Sequence, residues 1–341
     1  MGLTNINLAT ILLKNIFFIF FLVSSILSRL ETKNFFVDIF SQISFQILLG
    51  GILLLIISII LRKLWVSIFC ILVCGWLAAD ILPPCKNCNA LLKDELQTYN
   101  KIRLMTYNTS YNTDYDLPKW FLFLENSLIK NKSSKLNKSN DLKNLHELIL
   151  IENPDIIQFQ EITPNFKEKL KSLELTFPYN VGFDKFIGIT ESIILSKYPI
   201  KKNHNSNNDA ILTKIIVNGV ELNILSTHLY SGLNQYRFNL ADEQILTLKK
   251  LINDISENII LIGDLNMTPV STRFNKFVED SNLYTYTSFL KPTFSWPSYL
   301  PSYLGIQIDH VLYSENFKII RKKTTIHLGS DHRPLIVDLA F

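Results

Sequence analysis

The sequence predicts an α/β protein preceded by a region of membrane-spanning helices. Long apolar runs fill the first ninety residues, and short apolar strands alternate with amphipathic helices from Lys101 onward. Hydrophobic residues make up 48% and charged residues 19% of the 341, which excludes an intrinsically disordered chain. We therefore expect a membrane anchor over 1–90, a linker over 91–100 and an α/β domain over 101–341, because the length allows only one or two folded domains.

Charge and hydropathy divide the chain at the same place. The mean hydropathy of +0.18 is high for a wholly soluble enzyme, and the excess lies in the first ninety residues. Residues 1–90 hold six of the 34 basic and three of the 30 acidic side chains, which leaves 28 basic and 27 acidic for residues 91–341. This balance lacks the strong positive field that is typical of a dedicated nucleic-acid-binding domain.

Three apolar stretches predict three membrane crossings: Ile11–Leu27, Ile43–Leu61 and Leu64–Leu82. The last two are each long enough to cross a hydrocarbon core of about 30 Å as a helix. We interpret the first as an uncleaved helix rather than a signal peptide, because its N-terminal end is poorly charged and a small-x-small cleavage site is missing. Core helices of a soluble protein are disfavoured, since such helices seldom lack a polar face for so long.

The connection between the last two stretches predicts the orientation of the chain. It consists of Arg62 and Lys63 alone, which forces an antiparallel hairpin. Positive charges favour the cytoplasmic side of a membrane, so three crossings would place residues 101–341 on the extracytoplasmic side. The whole Lys and Arg distribution does not decide the matter, since three basic residues of the first ninety fall on each side.

The four cysteines all lie in the first ninety residues. Cys70 and Cys74 stand one helical turn apart and are interpreted as apolar packing residues. Cys85 and Cys88 form a single C-x-x-C pair, for which a disulfide and two free thiols both stay open, whereas zinc would require four ligands. Because no cysteine follows Cys88, thiol catalysis in the α/β domain is excluded.

Alternating strands and helices predict a mixed sheet covered by helices, rather than an all-helical or all-β fold. Helices are predicted at 141–153 and 233–255, and the lysine- and asparagine-rich stretch 127–141 is predicted to be a surface loop. Strands are predicted at 101–107, 155–160, 192–200, 210–217, 220–229, 259–262, 306–313 and 335–339.

Polar clusters follow or interrupt these strands, where side chains of α/β proteins converge on one crevice. The clusters are Tyr107-Asn108, Gln160-Glu161, Thr227-His228, Gly263 to Asn266, Asp309-His310 and Ser330 to Pro334. Their oxygen ligands suit a hard Mg²⁺ or Mn²⁺ ion; these are Asn108, Glu161 and Asp331, with Asp264 as a further candidate. Two imidazoles could contact a phosphate or exchange its proton, with an aspartate fixing the tautomer of one.

Each cluster alone also has an ordinary structural explanation. Asp264 and Asn266 can form a turn that bonds its own backbone, and Glu161 can be a surface acid. His228 and His332 can each be a histidine with a purely structural role. Asp309 differs, because a carboxylate inside an apolar strand needs a partner to offset its desolvation. The ordered set, rather than any single member, favours a catalytic site.

In this order the clusters resemble the endonuclease/exonuclease/phosphatase family, which includes DNase I-like nucleases, sphingomyelinases and inositol-polyphosphate 5-phosphatases. The matching segments are LMTYN, IIQFQE, SKYPI, STHL, IIGDLN, QIDHVLYS and GSDHRPLIVDL, spread over residues 101–341. GDLN and the terminal SDHRP are the most specific of them. The resemblance implies a four-layer α/β sandwich, with two sheets packed back to back between helices, and metal-dependent hydrolysis of phosphoesters.

The resemblance implies a metal site and its ligands. Glu161 is expected to be the principal ligand, with Asn108 and Asp331 nearby. Mg²⁺ or Mn²⁺ is the implied cofactor.

The resemblance also implies the residues that act on the substrate. Asp264 would orient or deprotonate the attacking water, and Asn266 would hold that water or a phosphate oxygen. His332 would face the phosphate with Asp309 as its buried orienting acid, and His228 would make a second phosphate contact.

Two residues and the substrate are left open by the resemblance. His310 departs from the family, which often has an aromatic residue there, and is interpreted as packing; Arg333 could contact either the substrate or an acid on the adjoining loop. Nucleic acid, phospholipid and inositol phosphate all stay open as substrates. The alternative function is a catalytically silent, membrane-anchored binding module of the same fold. It is disfavoured because an acid, amide or imidazole stands at every matched position.

Overall fold

The computed structural model describes residues 16–82, 99–110, 138–183, 192–206, 210–255, 257–289, 291–301 and 304–341. Cys85, Cys88, most of the predicted linker and most of the expected loop 127–141 lie outside these residues. The end of that loop is described, and there the prediction was wrong, because residues 138–141 already belong to a helix.

Four helices form the described N-terminal region: α1 (Ile16–Leu27), α2 (Phe35–Gln42), α3 (Ser44–Ile60) and α4 (Leu64–Ile81). α3 and α4 form the predicted hairpin, in which Ser58 Oγ and Ser67 Oγ lie 2.8 Å apart. α2 was not predicted. It begins after Asn34, whose side-chain oxygen accepts a hydrogen bond from the backbone of Phe36 at 2.9 Å and so caps the helix.

Length and composition make α4 a candidate membrane span by itself. α2 and α3 meet the same criterion only if they are taken together as one span, with a bend of 62° between them. α1 is apolar but shorter over its described residues. The three predicted crossings therefore stay a prediction.

Eleven strands of the described residues form two sheets. They are β1 (Lys101–Asn108), β2 (Ile156–Gln160), β3 (Tyr179–Val181), β4 (Ile193–Ser196), β5 (Ile200–Ser206), β6 (Ala210–Val217), β7 (Val220–His228), β8 (Ile259–Asp264), β9 (Asp309–Tyr313), β10 (Lys318–Thr324) and β11 (Leu335–Ala340). The strand orders are β10-β11-β1-β2-β4-β3 and β5-β6-β7-β8-β9. β1 runs parallel to β2 and β7 parallel to β8, whereas the other neighbouring pairs are antiparallel.

Helices cover the outer face of each sheet, which confirms the predicted four layers. They are α5 (Lys138–Glu152), α6 (Pro164–Leu170), α7 (Gln235–Asn253) and α8 (Thr272–Asp280). α5 and α6 pack on the first sheet, and α7 and α8 pack on the second. Between the sheets lies a third apolar cluster, to which the first sheet contributes Leu104 and Ile194 and the second Ile224 and Ile260.

Two predicted strands were wrong in extent. The stretch 192–200 is not one strand, because the chain leaves the first sheet after β4 and enters the second at β5. Ser196 closes the turn between them: its hydroxyl accepts from the backbone of Tyr198 at 3.0 Å and donates to the Tyr198 carbonyl at 2.9 Å. The stretch 306–313 is a strand only from Asp309, since Ile306 pairs instead with Trp296.

The N-terminal helices pack directly on the α/β domain. Phe45 of α3 stacks on Phe289 with ring centroids 5.0 Å apart, and Gln46 Nε2 donates to the carbonyl of Gly305 at 2.9 Å. Val270 is buried in the same cluster as residues of α3 and α4. The two regions therefore share an interface.

Candidate active site

Four of the predicted site residues stand at the C-terminal ends of the two parallel strand pairs. Asn108 ends β1 and Glu161 follows β2, while His228 and Asp264 end β7 and β8. The C-terminal ends of parallel strands lie at one edge of a sheet. The two edges meet across the sandwich, since Asn108 Nδ2 donates to Glu161 Oε1 and to Asp264 Oδ2, both at 3.2 Å.

Asp309 and His332 form a buried hydrogen-bonded pair at the same place. Asp309 opens β9 directly opposite Asp264 in the ladder, and His332 precedes β11. His332 Nδ1 lies 2.8 Å from Asp309 Oδ2, and His332 Nε2 lies 3.7 Å from Asp264 Oδ2. The carboxylate of Asp309 thus orients the imidazole so that Nε2 faces Asp264.

His228 and Asn266 lie on the other side of Asp264. His228 Nε2 is 3.5 Å from Glu161 Oε1 and 3.6 Å from Asp264 Oδ2. Asn266 has a left-handed backbone with φ of +48°, its N–H donates to Asp264 Oδ1 at 2.8 Å and its Nδ2 donates to the carbonyl of Leu229 at 2.8 Å. Asp264 and Asn266 therefore do form the turn that their spacing suggested, and this turn also aims both side chains at the site.

Asp331 lies at the rim of the cluster. Ser110 Oγ donates to its carboxylate, and Trp296 Nε1 donates to its Oδ2 at 2.9 Å. Asp331 Oδ1 is 3.9 Å from His332 Nε2. The structure thus brings all eight predicted residues together, seven around a buried centre and Asp331 at its more exposed edge.

Burial and crowding of carboxylates set the acid–base state of the site. Burial raises the pKa of Glu161 against the smaller, opposite effect of its hydrogen bond from Asn108. Burial, together with the nearby Asp309 carboxylate, raises the pKa of Asp264 well above that of an ordinary aspartate. Both carboxylates are therefore costly to keep charged in the absence of a neighbouring positive charge.

The two histidines are driven to opposite charge states. Burial acts to lower the pKa of His332, but the Asp309, Asp264 and Asp331 carboxylates outweigh it and raise that pKa to about 10. Burial and the positive charge of His332 lower the pKa of His228 to about 4. At neutral pH, His332 is an imidazolium and His228 a neutral imidazole.

The donor set fits a hard divalent cation. The half-buried carboxylate of Glu161 and the buried carboxylate of Asp264 converge on the single amide of Asn108. A cation between them would offset the charge that their burial disfavours. Asp264, Asp309 and His332 also offer ligand atoms within 4.8 Å of one another. In that second group, however, Asp309 and His332 already bond each other, so the first group is the better candidate.

A polar network beneath the site was missed by the sequence analysis. Gln160 Oε1 accepts from the backbone N–H of Asp264 at 3.2 Å, and its Nε2 donates to Gln158 Oε1 at 2.7 Å. Gln158 Nε2 in turn donates to Ser226 Oγ of the second sheet at 2.9 Å. The available signal was two glutamines two positions apart in the apolar strand β2, which places both on one face.

Gly263 permits this close approach of the two sheets. Its φ is +148°, and a side chain there would collide with the carbonyl of Thr227 and with Gln160 Nε2. The glycine of GDLN is thus required by packing next to Asp264.

His310 and Arg333 both bond backbone carbonyls. His310 is buried, its Nε2 donates to the carbonyl of Met267 at 2.8 Å and its ring packs on Phe274, in agreement with the packing interpretation. Arg333 donates to the carbonyls of Ser298 and Leu300. Among the described residues no acid bonds Arg333, and its contact with the substrate stays a prediction.

Comparison with known proteins identifies the family. The model of the endonuclease/exonuclease/phosphatase family matches residues 105–332. That match covers more than half of the chain, so the chain belongs to this family. No curated protein matches the sequence.

Solved structures share the fold at low sequence identity. An endonuclease/exonuclease/phosphatase from Beutenbergia cavernae has a TM-score of 0.52 at 15% identity, with 71% of this chain and 72% of that chain covered. A family protein from Bacteroides thetaiotaomicron has a TM-score of 0.53 at 14% identity, covering 72% and 99%. D. rerio TDP2 complexed with a single-strand DNA product has a TM-score of 0.50 at 15% identity, covering 70% and 99%.

Proposed function

We propose that this protein is a membrane-anchored, divalent-metal-dependent phosphoester hydrolase. The supporting observation is the convergence of Glu161, Asp264 and the Asp309–His332 pair at one buried place where the two sheets meet. The family to which the chain belongs consists of hydrolases that act on phosphoesters. A silent binding module would have no need of an oriented imidazole beside a carboxylate with a raised pKa.

The side chains divide the chemistry of an in-line displacement. Asp264, whose raised pKa makes it a better proton acceptor than an ordinary aspartate, would orient and deprotonate the attacking water. The His332 imidazolium would offset the charge that develops on the phosphoryl oxygens, held in position by Asp309. Neutral His228 and the amide of Asn266 would contact a second phosphate oxygen.

Glu161 would hold the metal ion, with Asn108 and Asp331 nearby. Bound Mg²⁺ or Mn²⁺ would supply Lewis-acid stabilisation of the phosphoryl and leaving oxygens. Asn108 links this part of the site to the water-activating part, because its amide bonds both Glu161 and Asp264.

The burial pattern of the N-terminal helices supports the membrane anchor. Large apolar side chains such as Leu53 and Trp65 are exposed, whereas Ser58, Ser67 and Gly51 are turned inward. Small and hydroxyl-bearing residues inside and large apolar residues outside are typical of helices packed in lipid. Exposed apolar surface of this extent is costly in water.

We propose further that the domain is extracytoplasmic. The support is the Arg62–Lys63 turn at the end of the hairpin, which favours the cytoplasmic side. Protease added to intact cells should cleave the large domain, and cleavage only after lysis would contradict this orientation.

The test of the enzymatic proposal uses the full chain in detergent, because the N-terminal helices share an interface with the domain. We expect hydrolysis of bis(p-nitrophenyl) phosphate that EDTA abolishes and Mg²⁺ or Mn²⁺ restores. Asp264→Ala should lower kcat by about 10²–10⁴-fold, the usual contribution of a general base. His332→Ala should lower it by about 10²–10³-fold, the usual effect of removing one charge-stabilising donor.

His146→Ala is the matched control. His146 lies on α5 and bonds Ser172 at 3.1 Å, outside the cluster. Its substitution should leave turnover at the wild-type level. Metal-independent turnover, or equal turnover in Asp264→Ala and the wild type, would remove the enzymatic proposal.

A further inference from the structure

Helix α2 has the reverse of the usual polarity of a surface helix. Asp38 and Ser41 are buried against the rest of the protein, whereas Phe36 is 58% exposed and Ile39 also faces outward. A helix on a water-facing surface buries its apolar side and exposes its polar side. The outer face of α2 therefore suits an apolar medium.

The inward face of α2 bonds to the loop that carries Asp264 and Asn266. Gln42 Oε1 accepts from the N–H of Thr268 at 2.6 Å, and Thr268 Oγ1 donates to the Gln42 carbonyl at 2.9 Å. Gln42 Nε2 donates to the buried carboxylate of Asp38 at 2.8 Å, which fixes the orientation of the amide. Thr268 is two residues from Asn266, a chain distance of at most about 7 Å.

A second exposed apolar segment joins α2 from the start of α7. Gln235 Nε2 donates to the carbonyl of Lys33 at 2.7 Å, and its Oε1 accepts from Phe35 N at 3.2 Å. Leu233 and Tyr236, on either side of Gln235, are exposed. This segment begins just after Leu229, whose carbonyl holds the amide of Asn266.

We propose that Phe36, Ile39, Leu233 and Tyr236 form a surface that inserts into the membrane interface and fixes the catalytic loop at the level of lipid phosphates. The proposal rests on the proposed function. We call these four residues the interfacial surface. An amphipathic helix of this kind lies in the interface plane with its apolar face about 5–10 Å into the headgroup boundary.

Continuity with α3 selects a bilayer as the partner of this surface. Only Ile43 separates α2 from α3, and the two helices are bent by 62°, so α2 turns towards the membrane plane if α3 crosses it. The exposed residues of α3 and α4 are also large and apolar. The interfacial surface thus extends the lipid-facing surface of the hairpin to the edge of the active site.

This placement selects the substrate class. A lipid phosphoester in the same bilayer reaches the site by lateral diffusion, with its phosphate at the depth of α2. The substrate is therefore the phosphoester of a membrane lipid headgroup.

The first measurement compares two substrates. Full-length protein is reconstituted in vesicles of phosphatidylcholine, phosphatidylglycerol and phosphatidylinositol with Mg²⁺, and hydrolysis of vesicle lipid and of soluble bis(p-nitrophenyl) phosphate is followed. Wild type should hydrolyse both. In Phe36→Ser/Ile39→Ser, the ratio of lipid to soluble hydrolysis should fall at least about tenfold, since two apolar side chains no longer enter the interface. Leu175→Ser, a 99% exposed leucine on the side of the first sheet, is the control and should keep the wild-type ratio.

The second measurement does not depend on turnover. Brominated phosphatidylcholine in the vesicles should quench the added fluorescence of Phe36→Trp but not that of Leu175→Trp. No quenching of Phe36→Trp, or hydrolysis of the soluble substrate without any of the lipids, overturns the inference and leaves the proposed function standing. Absence of hydrolysis of both substrates, with quenching intact, overturns the proposed function and the lipid substrate with it, while the surface itself is supported.

Discussion

The two regions of this molecule bury similar apolar side chains but differ in what they leave exposed. In the α/β domain, Leu261 and Ile224 are fully buried between or behind the sheets. In the helical region, Leu77 is buried as well, but Leu53 is exposed while Ser58 and Gly51 lie inside. The same preference for apolar contact gives both patterns, because water surrounds the first region and, in our proposal, lipid surrounds the second. The surrounding medium rather than the residue type decides which face of an element turns inward.

The sharpest contrast concerns buried charge, and here the largest effect is expected. Asp309→Asn removes the partner of the buried His332 imidazolium and should cost about 3–5 kcal/mol of unfolding free energy. In the helical region, Asp80 pairs with Arg29 at 3.2 Å but its side chain is about half exposed. Asp80→Asn should cost only about 0–1 kcal/mol. Thermal unfolding of the full chain in detergent measures the loss in each of the two variants.

The pH dependence of Asp309→Asn has a defined sign. The pKa of His332 is about 10 in the folded protein and about 6.5 for an unperturbed histidine, so the stabilisation that its charge provides is full below pH 6.5 and is lost as pH rises through 10. Burial acts to raise the pKa of Asp309, but His332 outweighs it and lowers that pKa, so the Asp309 contribution is present above 3.8. The loss of unfolding free energy caused by Asp309→Asn should be largest between these limits, at about pH 4–6.5. A loss of unfolding free energy that grows towards pH 10 would contradict the pairing of Asp309 with His332.

A pair of leucines tests the difference between the interior of the α/β domain and the exposed face of the helical region. Leu261→Ala opens a cavity behind the second sheet and should cost about 2–5 kcal/mol. Leu53→Ala removes the same atoms from an exposed position on α3. It should change the free energy of unfolding in detergent by no more than about 0.5 kcal/mol. Equal losses in thermal unfolding would show that Leu53 is packed against protein, which would break the comparison.

Two adjacent glycines test the packing of the helical region. A side chain at Gly51 would meet the ring of Phe21 and the sulfur of Cys74, whereas one at Gly50 would meet no atom within 4 Å among the described residues. Gly51→Leu should therefore cost about 1–3 kcal/mol by overpacking. Gly50→Leu should be neutral in the same unfolding measurement. A larger loss for Gly50→Leu than for Gly51→Leu would mean that α1 and α4 do not pack against Gly51.

The smallest effect is expected inside the hairpin. Ser58 and Ser67 share one hydrogen bond between α3 and α4. Ser58→Ala should cost about 0.6 kcal/mol, the average for such bonds between membrane helices. A double-mutant cycle with Ser67→Ala isolates the pair, and a coupling energy of zero would mean that the two hydroxyls are satisfied separately.

The sequence predicted much of the site because its signals are local. Asn108, Glu161, His228 and Asp264 each stand where an apolar strand ends, and a shared strand direction brings such ends together. The turn formed by Asp264 and Asn266 is likewise encoded within three residues. These features need no knowledge of distant contacts.

The features that escaped the sequence analysis depend on distant partners. The polar residues of α2 gave no signal of a buried face, because Thr268, which bonds Gln42, lies 226 residues away. Gln158 and Gln160 similarly bond to the second sheet, and the passage from β4 to β5 between sheets is set by the packing of the whole sandwich. Periodicity describes one element at a time, so it cannot reveal these pairings.

The bonds between Gln42 and Thr268 indicate how release of the α/β domain from the N-terminal helices would affect it. A protease that cut the chain between α4 and β1 would free the sandwich from the proposed membrane anchor, yet Phe289 would lose Phe45, on which it stacks, if the helices departed. Such a release would leave the turn after β8 without its hydrogen bonds to Gln42. We therefore expect a domain released in this way to lose its proposed hydrolytic activity.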